Sequence, residues 1–248
     1  MLILLPPSET KRVDEGGPTW DIEGLVFPEL TALRERVVDA LVTLSDDEEA
    51  AARALKLGKT QRADIGRNAL LRSAPGMPAI DRYTGVLYDA LEASSVDAPA
   101  RSWLSDHVLI HSAPFGPVGA LDAIPYYRLA AAGRLPGLPP LRSLWAEPVA
   151  RSLADTSAGL VLDLRSEAYV ALGAAPVDRG FYVRVVSHGA DGVTRALNHF
   201  NKAAKGRFVR ALAESHTAID SLPDLLQWAA ESGIELHESD AGELLLVV

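Results

Sequence analysis

The chain has no cysteine. That absence excludes disulfides, thiolate nucleophiles and cysteine-based zinc sites together. It also fits a reducing compartment, and a cytoplasmic location is expected. Long apolar runs are missing too: nothing approaches the ~18 uninterrupted apolar residues of a membrane span. The opening Met1-Leu2-Ile3-Leu4-Leu5 stops at Pro6-Pro7 and has no basic flank. It is too short for a span or a signal peptide and reads as a buried first strand. No membrane partner is expected. There is no Gly-x-Gly-x-x-Gly, so a dinucleotide fingerprint is unsupported. Gly58-Lys59-Thr60 fails as a phosphate loop, because the glycine required five residues earlier is Arg53. Finally, no lysine or arginine follows Arg210, whereas Glu214, Asp220, Asp224, Glu231, Glu235, Glu238, Asp240 and Glu243 do. The net charge of -9 therefore sits almost wholly in that tail. A local basic site remains compatible with it, but indiscriminate coating of nucleic acid does not.

What is present is an ordinary globular composition, 48% apolar and 23% charged over 248 residues, with ample material for a core. Pro28 to Leu44 carries a helical period. Ser45 is the expected N-cap of a helix that reaches Leu57, with Asp46 to Glu49 in its first turn. Gly58 is its expected C-cap, and Gln61 to Arg72 the next helix. These two helices, near 46–72, could form a helix-hairpin-helix that offers backbone N–H groups to a phosphate, or could simply pack. Val86 to Leu91 reads as a helix after a turn at Tyr83-Thr84-Gly85. Trp103 to Ser112 holds a short buried strand at Val108-Leu109-Ile110. His107 and His111 are placed on one strand face, without a carboxylate nearby, so no metal site is expected. The stretch from Ala113 to Arg128 is rich in Gly and Pro and reads as a structured loop.

Farther on, Gly159-Leu160-Val161-Leu162-Asp163-Leu164 is the clearest buried strand, and it discharges into Arg165-Ser166-Glu167-Ala168-Tyr169. Such an ending resembles the rim of a site. A second strand, Phe181 to His188, precedes the basic run His199 to Arg210. On a helix, Lys202 and Lys205 share a side with Val209 and Leu212. Cations near a helix start oppose the macrodipole, so either an anion or a solvated basic face is implied. A helix at Ser221–Ser232 and a strand at Gly242–Val248 close the chain.

Several of these stretches together resemble the YaaA family of bacterial peroxide stress proteins. The resemblance runs through the opening strand and its proline-serine turn, Tyr83-Thr84-Gly85, Phe115-Gly116, Asp122, Tyr127-Arg128 and Trp145. It continues through Leu164 to Tyr169 and the run Lys202-x-x-Lys205-Gly206-x-x-x-Arg210. Glu9 stands where a lysine is common in the family. The resemblance implies a single domain over 1–248, with a mixed α/β sheet, surrounding helices and an unusual topology. It further implies a positively charged cleft, binding to double-stranded DNA and limitation of iron-dependent oxidative damage. No cofactor is implied.

Two uses of one cleft follow. In the first, Ser8, Lys11, Tyr83, Tyr127, Arg128, Arg165, Lys202, Lys205 and Arg210 contact the phosphates of double-stranded DNA or of a phosphate-bearing small molecule. In the second, an enzyme acts on a nucleotide, nucleoside or base. Glu167 is then the acid/base, Ser8 or Ser166 a polar contact or nucleophile, and Tyr127 or Tyr169 a stacking or proton-donating group. Direct iron ligation ranks last, since a chain without cysteine would need carboxylates converging from afar.

Overall fold

Four consecutive apolar residues, Leu2 to Leu5, are all buried, which is the pattern of a strand covered on both faces. In the computed structural model, which describes residues 1–13, 16–188, 194–196 and 201–248, this is the central strand β1 (Leu2–Leu5). His199 and Phe200, at the head of the basic run, lie outside the described residues. Next come α1 (Thr31–Leu44), α2 (Glu48–Ala54), α3 (Ala63–Ala69), β2 (Met77–Pro78), α4 (Ala79–Arg82), α5 (Val86–Leu91) and α6 (Ala98–His107). Then follow β3 (Val108–Ser112), β4 (Gly116–Gly119), β5 (Ala123–Ile124), α7 (Leu141–Ala154), β6 (Val161–Asp163) and α8 (Glu167–Val170). The chain finishes with β7 (Gly180–His188), β8 (Thr194–Ala196), α9 (Asn201–Ser215), α10 (Leu222–Glu231), β9 (Leu236–Glu238) and β10 (Leu244–Val247).

The main sheet runs β4-β3-β1-β6-β7-β10-β9, so the fold is mixed α/β. β3, β1, β6, β7 and β10 are parallel, and β4 and β9 flank them antiparallel. From β1 the chain moves on to β3 on one side; from β6 it moves on to β7 on the other. Where successive connections diverge in this way, a crevice opens at the carboxyl ends of the two strands. That geometry sets Pro6–Lys11 and Leu164–Tyr169 side by side. Strand β7 changes neighbours along its length: Gly180–Tyr182 pair with β6, Val183–Val186 also face β10, and Val186–His188 pair with β8. Val186 is paired with both Val247 and Ala196, so β8 takes over the edge that β6 leaves.

Gly206 shows why the basic run has the spacing it has. Helices α5 and α9 are packed against each other. A Cβ on Gly206 would lie 2.1 Å from the Leu87 carbonyl oxygen and 3.0 Å from Ala90 Cβ. One turn on, Arg210 donates to Leu91 O at 3.1 Å and Glu92 O at 3.2 Å, capping the carboxyl end of α5.

Several local expectations are corrected. Ser45 ends α1, its hydroxyl donating to Leu41 O, and Asp47 is the N-cap of α2, accepting from the Ala50 N–H. Lys56, not Gly58, supplies the left-handed residue after α2, at φ 55°. The Leu57 N–H then closes on Ala52 O at 2.9 Å, and Gly58 is extended. The segment after it is a short α3 between two 3₁₀ turns, and a helix-hairpin-helix over 46–72 is not shown. His107 ends α6, with Nδ1 2.9 Å from Trp103 O, and so does not share a strand with His111. The supposed loop 113–128 contains β4, which folds back on β3 because its carbonyl-rich turn is tied down elsewhere. Arg34, fully buried on α1, donates to the carbonyls of Phe115, Pro117, Val26 and Phe27.

Gly206→Ala should lower stability despite alanine's helix preference of ~1 kcal/mol, because overpacking costs ~1–3 kcal/mol or more against backbone. The urea midpoint should fall at unchanged slope; an unchanged midpoint would show that α5 and α9 are not held in contact at this glycine.

Candidate functional site

The crevice predicted by the strand order is a cleft with two lobes. Both are walled by Pro7, Ser8 and Glu9 from the loop after β1 and by Ala168 and Tyr169 of α8. The first lobe, about 460 Å³, extends toward Lys56, Gln61 and the loop Tyr127–Gly133. The second, about 810 Å³, extends toward α5, β7 and the start of α9.

Lys11 lines the first lobe. Its loop is zipped to the segment before α5: Lys11 bridges to Tyr83, Thr84 N–H donates to Thr10 O, and Thr10 Oγ1 donates to Thr84 O. Gly85 closes this seam at φ 98°, where a Cβ would meet Thr10 Oγ1 and Ser8 Oγ. Lys11 Nζ donates to Ser8 O at 2.9 Å and sits 4.3 Å from the Tyr127 ring centre. It forms no carboxylate pair among the described residues. Burial of the ammonium end, reinforced by the nearby Arg128 guanidinium, lowers its pKa to about 7, with Asp64 and Glu9 opposing. Beneath it the Tyr83 and Tyr127 hydroxyls are 2.7 Å apart. Burial raises both phenols, Tyr127 to about 12. Arg128 is fastened to Glu9 through its carbonyl and carboxylate, and Asn68 grips the Arg128 backbone at N and O.

Lys205 lines the second lobe. It is buried, donates to Leu164 O at 3.0 Å and lies 5.2 Å from the Tyr182 ring centre. Burial lowers its pKa to about 8; Asp163 raises it and Arg184 lowers it further. Alternation along β7 buries Val183 and Val185 and turns Tyr182 and Arg184 to this lobe. Arg184 is paired with Glu243 at 2.6 and 2.7 Å, which holds the Glu243 carboxyl below its usual range. Lys202, Ser166 and Glu167 are exposed on the same lining. The Ser166 side chain makes no cap to α8, and Glu167 pairs with neither Arg165 nor Lys202 among the described residues. Tyr169, between the lobes, has its phenol raised mainly by burial.

The cleft thus gathers Ser8, Lys11, Tyr127, Arg128, Ser166, Glu167, Tyr169, Lys202 and Lys205. It does not gather three others. Tyr83 lies buried under Lys11. Arg165 is fully buried, bound to Asp163 at 2.8 and 2.5 Å and to His111 Nδ1 at 2.7 Å. Since arginine only donates, His111 Nδ1 accepts, and Nε2 carries the ring hydrogen without a partner among the described residues. Burial and Arg165 push the His111 pKa down, which keeps the ring neutral. Arg210 is consumed at the end of α5 and by Glu214. Sequence reasoning passed over Tyr182, Arg184, Lys56 and Tyr88, whose hydroxyl donates to Pro6 O at 2.7 Å. Strand alternation in β7 was the available signal for the first two. Among the described residues no three His, Asp or Glu side chains are grouped to hold a metal.

Comparison with known proteins gives a consistent picture. The family model described as "Peroxide stress protein YaaA" matches residues 1–239. A UPF0246 protein of Corynebacterium efficiens is 40% identical over 254 residues, all of both chains. One from Streptomyces coelicolor is 39% identical over 239 residues, 96% of this chain and 92% of that relative. Another, from Caulobacter vibrioides, is 30% identical over 149 residues, 56% of this chain and 58% of its own.

The two lysines predict a pH signature. Their folded pKa values lie below the unfolded lysine value, so folding expels protons between about 7 and 10.5 for Lys11 and between about 8 and 10.5 for Lys205. Stability should therefore rise with pH through that window and be reduced below it. In Lys11→Met/Lys205→Met the rise should flatten in urea titrations at pH 6.5 to 9.5; an unaltered slope would mean the ammonium groups are solvated.

Proposed function

The chain belongs to the YaaA family of peroxide stress proteins, and we propose that it serves that response by holding a phosphate-bearing ligand in the two-lobed cleft. One observation carries this reading: Lys11 and Lys205 are recessed on opposite sides of the Ser8–Tyr169 wall, held by carbonyl dipoles and ring faces, without a carboxylate partner among the described residues. A desolvated cation lacking a counter-ion is stabilised by an arriving anion. Lys56 and Lys202 stand exposed on the two linings, and Arg128 and Arg184 stand partly covered. Against them are Glu9 and Glu167, so the lining is richer in cations than the acidic chain as a whole.

The recessed position of both lysines favours a small ligand or a single projecting phosphate over the flat backbone of a duplex. Duplex DNA is the second reading, favoured by Lys56 and Lys202, which can contact phosphates beyond the cleft mouth. Limitation of iron-driven damage would then be indirect, through the molecule bound. A catalytic use is supported by Ser166, Glu167 and Tyr169 meeting on the second lobe, with the Ser166 side chain not capping α8 and Glu167 without an ion pair among the described residues.

Lys11→Met/Lys205→Met should weaken binding of a mononucleotide at least tenfold and fail to restore peroxide survival to a strain lacking the protein. Parent affinity should fall as pH rises through 7 to 8.5, because the lysines lose the protons that attract the anion. A log–log salt slope of about -0.9 per phosphate, with several phosphates neutralised, would instead establish the duplex reading. Wild-type binding and survival in the double variant would overturn both.

A further inference from the structure

The chain contains five lysines: Lys11, Lys56, Lys59, Lys202 and Lys205. Lys11 and Lys205 each bring an enclosed amine to a lobe of small-ligand size; Lys11 lines the smaller of the two and rests against two aromatic rings rather than one. Its Nζ rests on Ser8 O and against the faces of Tyr127 and Tyr83, at 4.3 and 5.5 Å from the ring centres. The cavity of about 460 Å³ falls in the range of small-molecule sites, ~300–1,000 Å³. Two more cationic side chains, Lys56 and Arg128, share its lining. A phosphate held by them would place the rest of a small ligand against the amine.

We propose that Lys11 captures an aldehyde-bearing sugar phosphate covalently, as an imine, in the first lobe. The proposal rests on the phosphate-binding reading above and names the ligand class for it. Desolvation that lowers the Lys11 pKa to about 7 leaves a large neutral fraction at physiological pH, the form that attacks a carbonyl. The nitrogen lone pair forms a C–N bond to the aldehyde carbon, and the carbonyl oxygen takes a proton, giving a carbinolamine. Protonation of that hydroxyl releases water as the nitrogen lone pair completes the C=N bond. Amine, aldehyde and one proton thus yield a protonated imine and one water, with no change of oxidation state. The same chemistry exists in a free sugar phosphate and at an abasic site in a DNA strand.

The test incubates the full chain with 2-deoxyribose 5-phosphate, or with a duplex containing one abasic site, and reduces with borohydride. Peptide mapping should find an adduct of ligand mass less one oxygen on Lys11, at least tenfold above each of the other four lysines. Lys11→Arg, which keeps the cation, should lose it while circular dichroism confirms the fold. Trapping in one arm alone assigns the source. Label spread evenly over the five lysines, or retained in Lys11→Arg, overturns the proposal. Calorimetry without borohydride separates the two levels. Binding without trapping removes imine capture and leaves phosphate binding standing. Equal trapping of unphosphorylated 2-deoxyribose keeps the chemistry of Lys11 and removes phosphate recognition. Neither binding nor trapping overturns both.

Discussion

The buried ion pair between Asp163 and Arg165 is the interaction on which the cleft depends. Asp163 is the last residue of β6 and Arg165 lies two residues beyond it, yet both are buried. Arg165 also reaches His111 on β3, across the carboxyl end of the central strand β1. The pair therefore ties the end of β6 to β3 across the end of β1, beside the switch point. Such a pair adds little net stability over an apolar substitute, but breaking it by removing one partner costs ~3–5 kcal/mol. Its worth here is positional. It fixes the chain direction on leaving β6, which aims Leu164 O at Lys205 and turns Ser166 to Tyr169 toward the loop after β1. His111 is held neutral by burial and by the neighbouring Arg165 guanidinium.

The basic run at the start of α9 is two devices in one sequence. Gly206 and Arg210 dock α9 on α5, the first by having no side chain and the second by capping the exposed carbonyls of Leu91 and Glu92. Lys205 belongs to the cleft, and Lys202 to its rim. The helix dipole opposes cations in a first turn, and in the folded chain the Leu164 carbonyl offsets that for Lys205. A single spacing thus couples the docking of a helix to the placement of an amine. The local Arg210–Glu214 pair is readable from the sequence, but the docking role of Arg210 is not, because Leu91, Glu92 and Ser95 lie more than a hundred residues away.

Strands buried on both faces were legible because they are continuous apolar runs: β1 and the stretch ending in β6 need no partner to be recognised. The strand β4 was hidden, since Gly116 and Pro117 argue for a loop, and the Arg34 guanidinium, distant in sequence, fixes the carbonyls of Phe115 and Pro117. The end of α2 was misread for a related reason. Glycine is the usual left-handed terminator, but Lys56 takes that conformation and so brings its side chain to the first lobe. Among the site residues, exposure and sequence distance decided what could be read. Ser166, Glu167 and Tyr169 follow a readable strand and were found. Tyr182 and Arg184 were hidden in an alternation whose outward face could not be distinguished from plain solvent. Arg165 looked like a ligand contact because nothing local reveals that a charge is buried.

Lys11 and Lys205 share a physical predicament that links fold to site. Each has been carried out of water, and among the described residues each is given only carbonyls and ring faces in return. Several other covered cations are paired: Arg165 with Asp163, Arg184 with Glu243, Arg101 with Asp81, Arg128 with Glu9. Arg34, fully buried, is instead held by four backbone carbonyls, whereas both lysines line adjoining lobes of one cleft at the sheet's switch point. Two amines open to a shared cleft, with no carboxylate partner among the described residues, are what an arriving anion would stabilise. The ligand proposed to relieve both is an anion, and the amine nearer to neutrality at physiological pH is the one proposed to react with it.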